Sequence, residues 1–124
     1  MRIFLTGATG YVGSAVLDAL LRAGHQVTAL VRDSEKAARV SARGAHPVVG
    51  SLTDPESYRA LADAQDGYIH TALDTSARGP ELDRLTIDVL LAAARRPRTT
   101  NSANPAPRFV IYTSNLWVLG RVSE

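Results

Sequence analysis

At 124 residues, with 45% hydrophobic and 21% charged residues, the chain has the size and balance of one soluble globular domain and lacks the uninterrupted apolar run that a membrane span requires. The pI of 9.4 arises from a net charge of only +2, with the arginines scattered among acidic residues, so the sequence offers no phosphate track and argues against nucleic-acid binding. No cysteine is present, which excludes disulfides and thiolate metal sites and fits a reducing cytoplasm.

The apolar run 3–5 is much shorter than the core of a secretory signal, leads at once into Gly7, and reads as a first strand. A helix follows over 12–21, with Val12, Ala15, Val16, Ala19, Leu20 and Ala23 at spacings of three and four as the predicted sheet-facing stripe, and Gly24 as its carboxyl stop. A second strand is predicted over 27–31, a second helix over 34–43 and a third strand over 47–49. Asp54 as cap and Pro55 at the first helical position open a short helix to about residue 64. Residues 67–71 make a fourth strand and 80–95 a long helix, whose carboxyl end the cluster Arg95-Arg96-Pro97-Arg98 would cap and stop. A polar loop over 99–107 leads to a fifth strand over 108–113. This alternation predicts one α/β domain over 1–124, a doubly wound parallel sheet of about five strands in the order 3-2-1-4-5. Its ligand crevice would lie at the carboxyl ends of strands 1 and 4.

The first turn of that plan is Thr6-Gly7-Ala8-Thr9-Gly10-Tyr11-Val12-Gly13. A pyrophosphate brought against a helix amino terminus meets free amides and the positive end of the dipole, provided no side chain holds it away. Gly7 suits the tight exit from the strand, Gly10 the approach of backbone to phosphate, and Gly13 close packing of helix on sheet. A glycine triplet alone is a weak signal, but one placed between an apolar strand and an amphipathic helix points to a Rossmann-type βαβ unit that binds a dinucleotide.

These residues resemble the short-chain dehydrogenase/reductase superfamily, with its TGxxGxxG fingerprint, and more narrowly its extended and atypical NAD(P)-dependent epimerase/dehydratase branch. His70-Thr71-Ala72 looks like that family's strand 4 end beside the cofactor, and the segment 112–120 resembles its SSxxVYG station. The resemblance implies a cofactor site made of Gly7, Thr9, Gly10, Tyr11, Val12, Gly13, Arg32, Ser51, Leu52, Thr71 and Ala72. Val31 stands where NAD-preferring members carry an acid, and Arg32 offers a planar cation for a 2′-phosphate, which favours NADP(H) over NAD(H), with the neighbouring Asp33 pulling the other way. Gly50-Ser51-Leu52 departs from the family's GDL, leaving a weaker hydrogen-bonding group for adenine. His70 reads as a satisfied structural histidine, since no second metal ligand sits near it in sequence.

The resemblance also implies a catalytic YxxxK pair with a helping hydroxyl, and here the sequence departs from it. Four residues beyond Tyr11, Tyr58, Tyr68 and Tyr112 stand Ala15, Ala62, Ala72 and Leu116, and the one lysine, Lys36, follows strand 2. Ser114 is the candidate helping hydroxyl, Asn115 occupying the usual serine or threonine position. The chain as given ends before the family's tyrosine helix and substrate lobe. Three readings stay open: part of a longer reductase or epimerase, a non-catalytic NADP(H) sensor, or a truncated relic that folds and pairs. An apolar fifth strand with an open outer edge would favour self-association.

Overall fold

The computed structural model describes residues 1–62, 65–72, 76–96 and 108–113. Its elements are β1 (Arg2–Thr6), α1 (Tyr11–Arg22), β2 (Gln26–Val31), α2 (Ser34–Ala42), β3 (His46–Val49), a 3₁₀ turn (Pro55–Ser57), α3 (Arg59–Ala62), β4 (Gly67–His70), α4 (Gly79–Arg95) and β5 (Phe109–Tyr112). The five strands form one sheet in the order β3-β2-β1-β4-β5, every pair parallel, as the sequence predicts. The predicted loop over 99–107 lies outside the described residues.

Both sheet faces are covered, which is why the strands read as continuous apolar runs instead of alternating ones. On one face Ile3, Leu5, Val27, Ala29, Val31 and Ile69 pack under Leu17 of α1 and Val40 of α2. On the other, Phe4, Leu30, Val48 and Tyr68 pack with Tyr58, Ala62 of α3 and Val89, Leu90 and Ala93 of α4. The Phe4 ring stacks on Tyr58 at 5.8 Å and tilts against Tyr68 at 6.4 Å, and the Tyr68 hydroxyl donates to the Ala62 carbonyl at the end of α3.

The buried face of α1 keeps Val16 and Leu20 of the predicted stripe and departs from it elsewhere. Gly13 and Leu17 are buried and Val16, Leu20 and Leu21 pack against the same cluster, whereas Val12, Ala15, Ala19 and Ala23 are exposed. Rotation is decided by the bulkier side chains, which gain more from burial than alanine does, and by Gly13, which must face the turn it abuts. Both α1 and α2 end as foreseen for α1: the amides of Gly24 and His25 bond back to Leu21 and Leu20, and those of Gly44 and Ala45 to Ser41 and Val40, a Schellman geometry with glycine in the left-handed region. Arg43 then joins the two helices, donating to the Ser14 hydroxyl and carbonyl and pairing with Asp18.

The predicted 55–64 helix is broken into the 3₁₀ turn and a single turn of α3 within the described residues. Pro55 takes the first helical position, but the Asp54 side chain caps nothing; its carbonyl instead accepts from Ser57 Oγ at 2.6 Å. At the end of α4, Arg95 occupies the last turn, and Pro97 and Arg98 lie outside the described residues. A cation distant in sequence makes the capping contacts: Arg108 Nη1 donates to the carbonyls of Ala93 at 2.8 Å and Arg96 at 3.2 Å.

Candidate functional site

The switch of winding direction falls between β1 and β4, and the predicted cofactor residues follow the carboxyl ends of four strands: Gly7 to Gly13 after β1, Arg32 after β2, Ser51 and Leu52 after β3, Thr71 and Ala72 after β4. Gly7 adopts φ +74°, a conformation that disfavours any side chain, and a Cβ there would also lie 2.6 Å from the Ala72 amide and the Thr71 hydroxyl. A Cβ on Gly13 would lie 2.5 Å from the Gly7 carbonyl carbon and 2.6 Å from Thr71 Oγ1. Gly7 and Gly13 are thus consumed by packing turn, helix and β4 end together.

Gly10 differs. Its Cβ would meet only the Gly7 carbonyl oxygen, at 3.4 Å, and its φ of −79° and ψ of 175° suit any residue. It is the N-cap of α1, and it supplies no side-chain cap to the first amides of the helix. What glycine provides there is open space in front of those amides. Thr9, Gly10, Tyr11 and Val12 are all exposed, Tyr11 to 97% and Val12 to 47%, so two large side chains stand at the rim with little protein around them. Uncapped amides, the positive helix end and an unobstructed Cβ position fit a diphosphate.

Around the adenosine end, Arg32 is exposed, while Asp33 serves as N-cap of α2, its Oδ1 accepting from the Lys36 amide at 2.9 Å. That cap explains an acid beside Arg32 on structural grounds alone. Ser51 Oγ accepts from the Thr53 amide at 3.1 Å and contacts Thr53 Oγ1 at 2.7 Å, so the side chain at the family's aspartate position shapes the loop. Leu52 packs against the α4-side core.

Both ring nitrogens of His70 are engaged: Nδ1 with Thr6 Oγ1 at 2.6 Å and Nε2 with Asp83 Oδ1 at 2.8 Å. Asp83 Oδ2 accepts in turn from the Tyr112 hydroxyl at 2.6 Å. The Asp83 carboxylate, by accepting that hydrogen bond, pushes the Tyr112 phenol above its usual pKa, the opposite of what a proton-abstracting tyrosine needs. Asp83 has no place among the sequence expectations, and Thr6 enters them only as the start of the turn; a threonine closing an apolar strand and an acid on the helix that follows β4 are the signals the sequence offers. Ser114 lies outside the described residues. No helix among the described residues is long and apolar enough to cross a membrane.

Residues 7–110 match the NAD(P)H-binding family. The chain is 41% identical over 103 residues to the 4-hydroxy-2-methyl-3-oxo-4-farnesyl-3,4-dihydroquinoline-1-oxide ketoreductase of Stigmatella aurantiaca, covering 79% of this chain and 31% of that protein. It is 30% identical over 122 residues to the NAD-dependent epimerase/dehydratase terH of Aspergillus terreus, covering 91% and 35%. Among solved structures, the NADPH-dependent quinone oxidoreductase QOR2 of Escherichia coli, complexed with NADPH, superposes with a TM-score of 0.73 over 95% of this chain and 38% of that one, at 22% identity, a likeness of fold. The chain spans roughly a third of the length of the curated relatives it matches, at 37% and 31% of the first two. Fold, glycine turn and relatives agree: the chain belongs to the NAD(P)H-binding family, as a Rossmann part of the extended short-chain dehydrogenase/reductase, epimerase/dehydratase branch.

Proposed function

We propose that residues 1–124 act as the dinucleotide-binding domain of a reductase, epimerase or dehydratase working on a carbonyl, hydroxyl or nucleotide-sugar type substrate, and that the cofactor is NADP(H) in preference to NAD(H). The observation that carries this is the uncapped start of α1 behind Gly10. Gly7, Thr9, Gly10, Tyr11, Val12 and Gly13 would hold the diphosphate, Ser51 and Leu52 the adenine, Arg32 the 2′-phosphate, and Thr71 and Ala72 the nicotinamide half. The nicotinamide ring supplies or accepts a hydride when bound. Arg32 is solvent-exposed at the end of β2 with no acid at position 31, and the nearby Asp33 has its own task as a helix cap. Calorimetric titration with NADPH, NADH and their oxidised forms tests the reading. Arg32→Asp is expected to reverse a preference for the phosphorylated pair; an unchanged preference removes Arg32 from the site.

Turnover is a separate matter. The sequence lacks YxxxK, Tyr112 is tied to Asp83, and Ser114 alone is left as a candidate catalytic hydroxyl. The 124-residue chain by itself is therefore expected to bind cofactor without reductase or epimerase turnover, and reproducible cofactor-dependent turnover by the pure chain would overturn that. The same missing pair favours, as second reading, a non-catalytic NADP(H) sensor, which predicts a protein partner whose capture changes with the cofactor; a relic that merely folds and pairs would bind none. At β5, Ile111 and Tyr112 are exposed to 50 and 42%, and β4 is the strand's sole partner among the described residues. Self-association along this edge is the expected consequence, and a strictly monomeric sedimentation profile at high concentration argues against it. The cysteine-free sequence suits a cytoplasmic setting.

A further inference from the structure

Behind the crevice lies a polar row that contributes no predicted cofactor contact. Thr6, His70 and Tyr112 are register partners on β1, β4 and β5. Their side chains therefore stand side by side on the α4 face, one step beyond the row of Phe4, Tyr68 and Val110. Thr6 and His70 are 0 and 1% exposed. The Thr6 hydroxyl oxygen accepts from the amides of Thr71 at 3.1 Å and Ala72 at 3.2 Å, which occupies both of its lone pairs. Its proton is left to donate to His70 Nδ1 at 2.6 Å. Nδ1 is then the acceptor, the ring carries its hydrogen on Nε2, and that hydrogen goes to Asp83 Oδ1.

The two amides fixed by Thr6 belong to the β4 end on which the glycine turn rests: the Cβ that Gly7 lacks would strike the Ala72 amide, and the one that Gly13 lacks would strike Thr71 Oγ1. Thr71 Oγ1 in turn donates to the Thr6 carbonyl at 2.6 Å, so the strap is closed on both sides. We propose that His70 is a positioning residue for dinucleotide binding: held by Asp83 in the Nε2–H form, it orients the Thr6 hydroxyl so that its lone pairs bind the Thr71 and Ala72 amides and set the width of the crevice. Without an acceptor at Nδ1, the Thr6 proton turns toward the amides it should receive from, and the β4 end loosens from the glycine turn. This inference rests on the reading that the dinucleotide occupies this crevice.

The test compares NADPH affinity in the full chain with Thr6→Val, His70→Ala and His70→Asn, alongside thermal melting of each. Loss of the oriented hydroxyl is expected to weaken NADPH about tenfold in Thr6→Val and in His70→Ala, the scale of one hydrogen bond. The double variant is expected to lose no more than either single one. Asn places a carbonyl oxygen where Nδ1 stood, so His70→Asn is expected to recover most of the affinity, which a mere loss of packing would not allow. Tight binding by the wild type with unchanged affinity in Thr6→Val and His70→Ala, or no recovery in His70→Asn, overturns the role of His70 alone. No NADPH binding by the folded wild type instead overturns the cofactor reading, and this inference with it. Should the variants fail to fold, NMR of the imidazole nitrogens and amide exchange in the wild type decide: an Nδ1–H ring, or unprotected Thr71 and Ala72 amides, refutes the arrangement.

Discussion

Replacing Gly10 and Gly13 by alanine separates the two uses of glycine in the turn. At Gly13 a helix-favouring substitution would ordinarily stabilise by about 1 kcal/mol. Here the new methyl would fall 2.5 Å from the Gly7 carbonyl carbon, closer still to its oxygen, and 2.6 Å from Thr71 Oγ1, and two of these three atoms are backbone of the turn, whose carbonyl accepts from the Gly10 amide. Overpacking against such neighbours costs about 3 kcal/mol, the upper end of the usual range, leaving a net loss of about 2 kcal/mol. For a domain of this size that lowers Tm by about 8 °C. At Gly10 the methyl would sit 3.4 Å from a single oxygen on extended backbone, so the fold loses little: a small capping deficit is offset by a stiffer unfolded chain, with a net change within about 0.5 kcal/mol. Yet that methyl fills the approach to the first amides of α1, and losing one charge-assisted hydrogen bond of about 1.5–3 kcal/mol weakens NADPH between ten- and about a hundredfold. Calorimetry and thermal melting of both variants check this. A Gly10→Ala chain that melts normally and binds NADPH as tightly as the wild type would refute the placement of the diphosphate.

Tyr58 is 1% exposed and its hydroxyl makes no hydrogen bond of normal geometry among the described residues, the Thr86 hydroxyl that influences it donating to the Leu82 carbonyl instead, so Tyr58→Phe is expected to raise stability by about 1 kcal/mol in urea titration instead of lowering it. Burial pushes the Tyr58 phenol above its usual pKa, only partly offset by the Thr86 hydroxyl, so the unfolded chain releases this proton first as pH climbs past the ordinary phenol value of 10.0. Stability is then lost above that pH, Tyr112 contributing in the same sense, and Tyr58→Phe is expected to flatten the alkaline slope; an identical slope would contradict it. Arg108→Met keeps the apolar stem but removes the donors to Ala93 and Arg96, which is expected to cost about 1.5 kcal/mol and to raise amide exchange in the last turn of α4 while leaving α1 unaffected.

The sheet order was legible in the sequence because each cue was local and agreed with the next. A strand running into Gly7, a helix stopped at Gly24, and Pro55 at the start of the helical segment after β3 leave few ways to wind a parallel sheet. The rotation of α1 was legible only in part: spacing finds Val16 and Leu20, but Val12, Ala15 and Ala19 flank them on one side as regularly as Gly13, Leu17 and Leu21 do on the other. Only the close approach of helix to turn, which demands glycine at the contact, breaks the tie. Asp33 and Ser51 show the same limit at the candidate site: read as ligand groups, Asp33 weighs against a 2′-phosphate and Ser51 weakens the adenine contact, but in the fold each holds its own loop or helix.

What sequence spacing could not reveal is parity across strands. Thr6, His70 and Tyr112 are 64 and 42 residues apart and each opens a different station of the family's pattern, yet parallel register puts them in one row, and the α4 helix brings Asp83 over that row. Two consequences follow from one register. Odd positions of β1 meet α1 and α2 and are purely aliphatic, while its even positions meet α4 and run from the aromatic Phe4 to the hydroxyl of Thr6. A buried hydroxyl is stable there only because an imidazole and two amides complete its bonding, and those amides begin the segment where β4 leaves the sheet beside the glycine turn. The polar end of the row therefore coincides with the end of the sheet at which the diphosphate is proposed to bind, and substitution of an interior residue with no ligand contact is expected to be felt as a change in affinity.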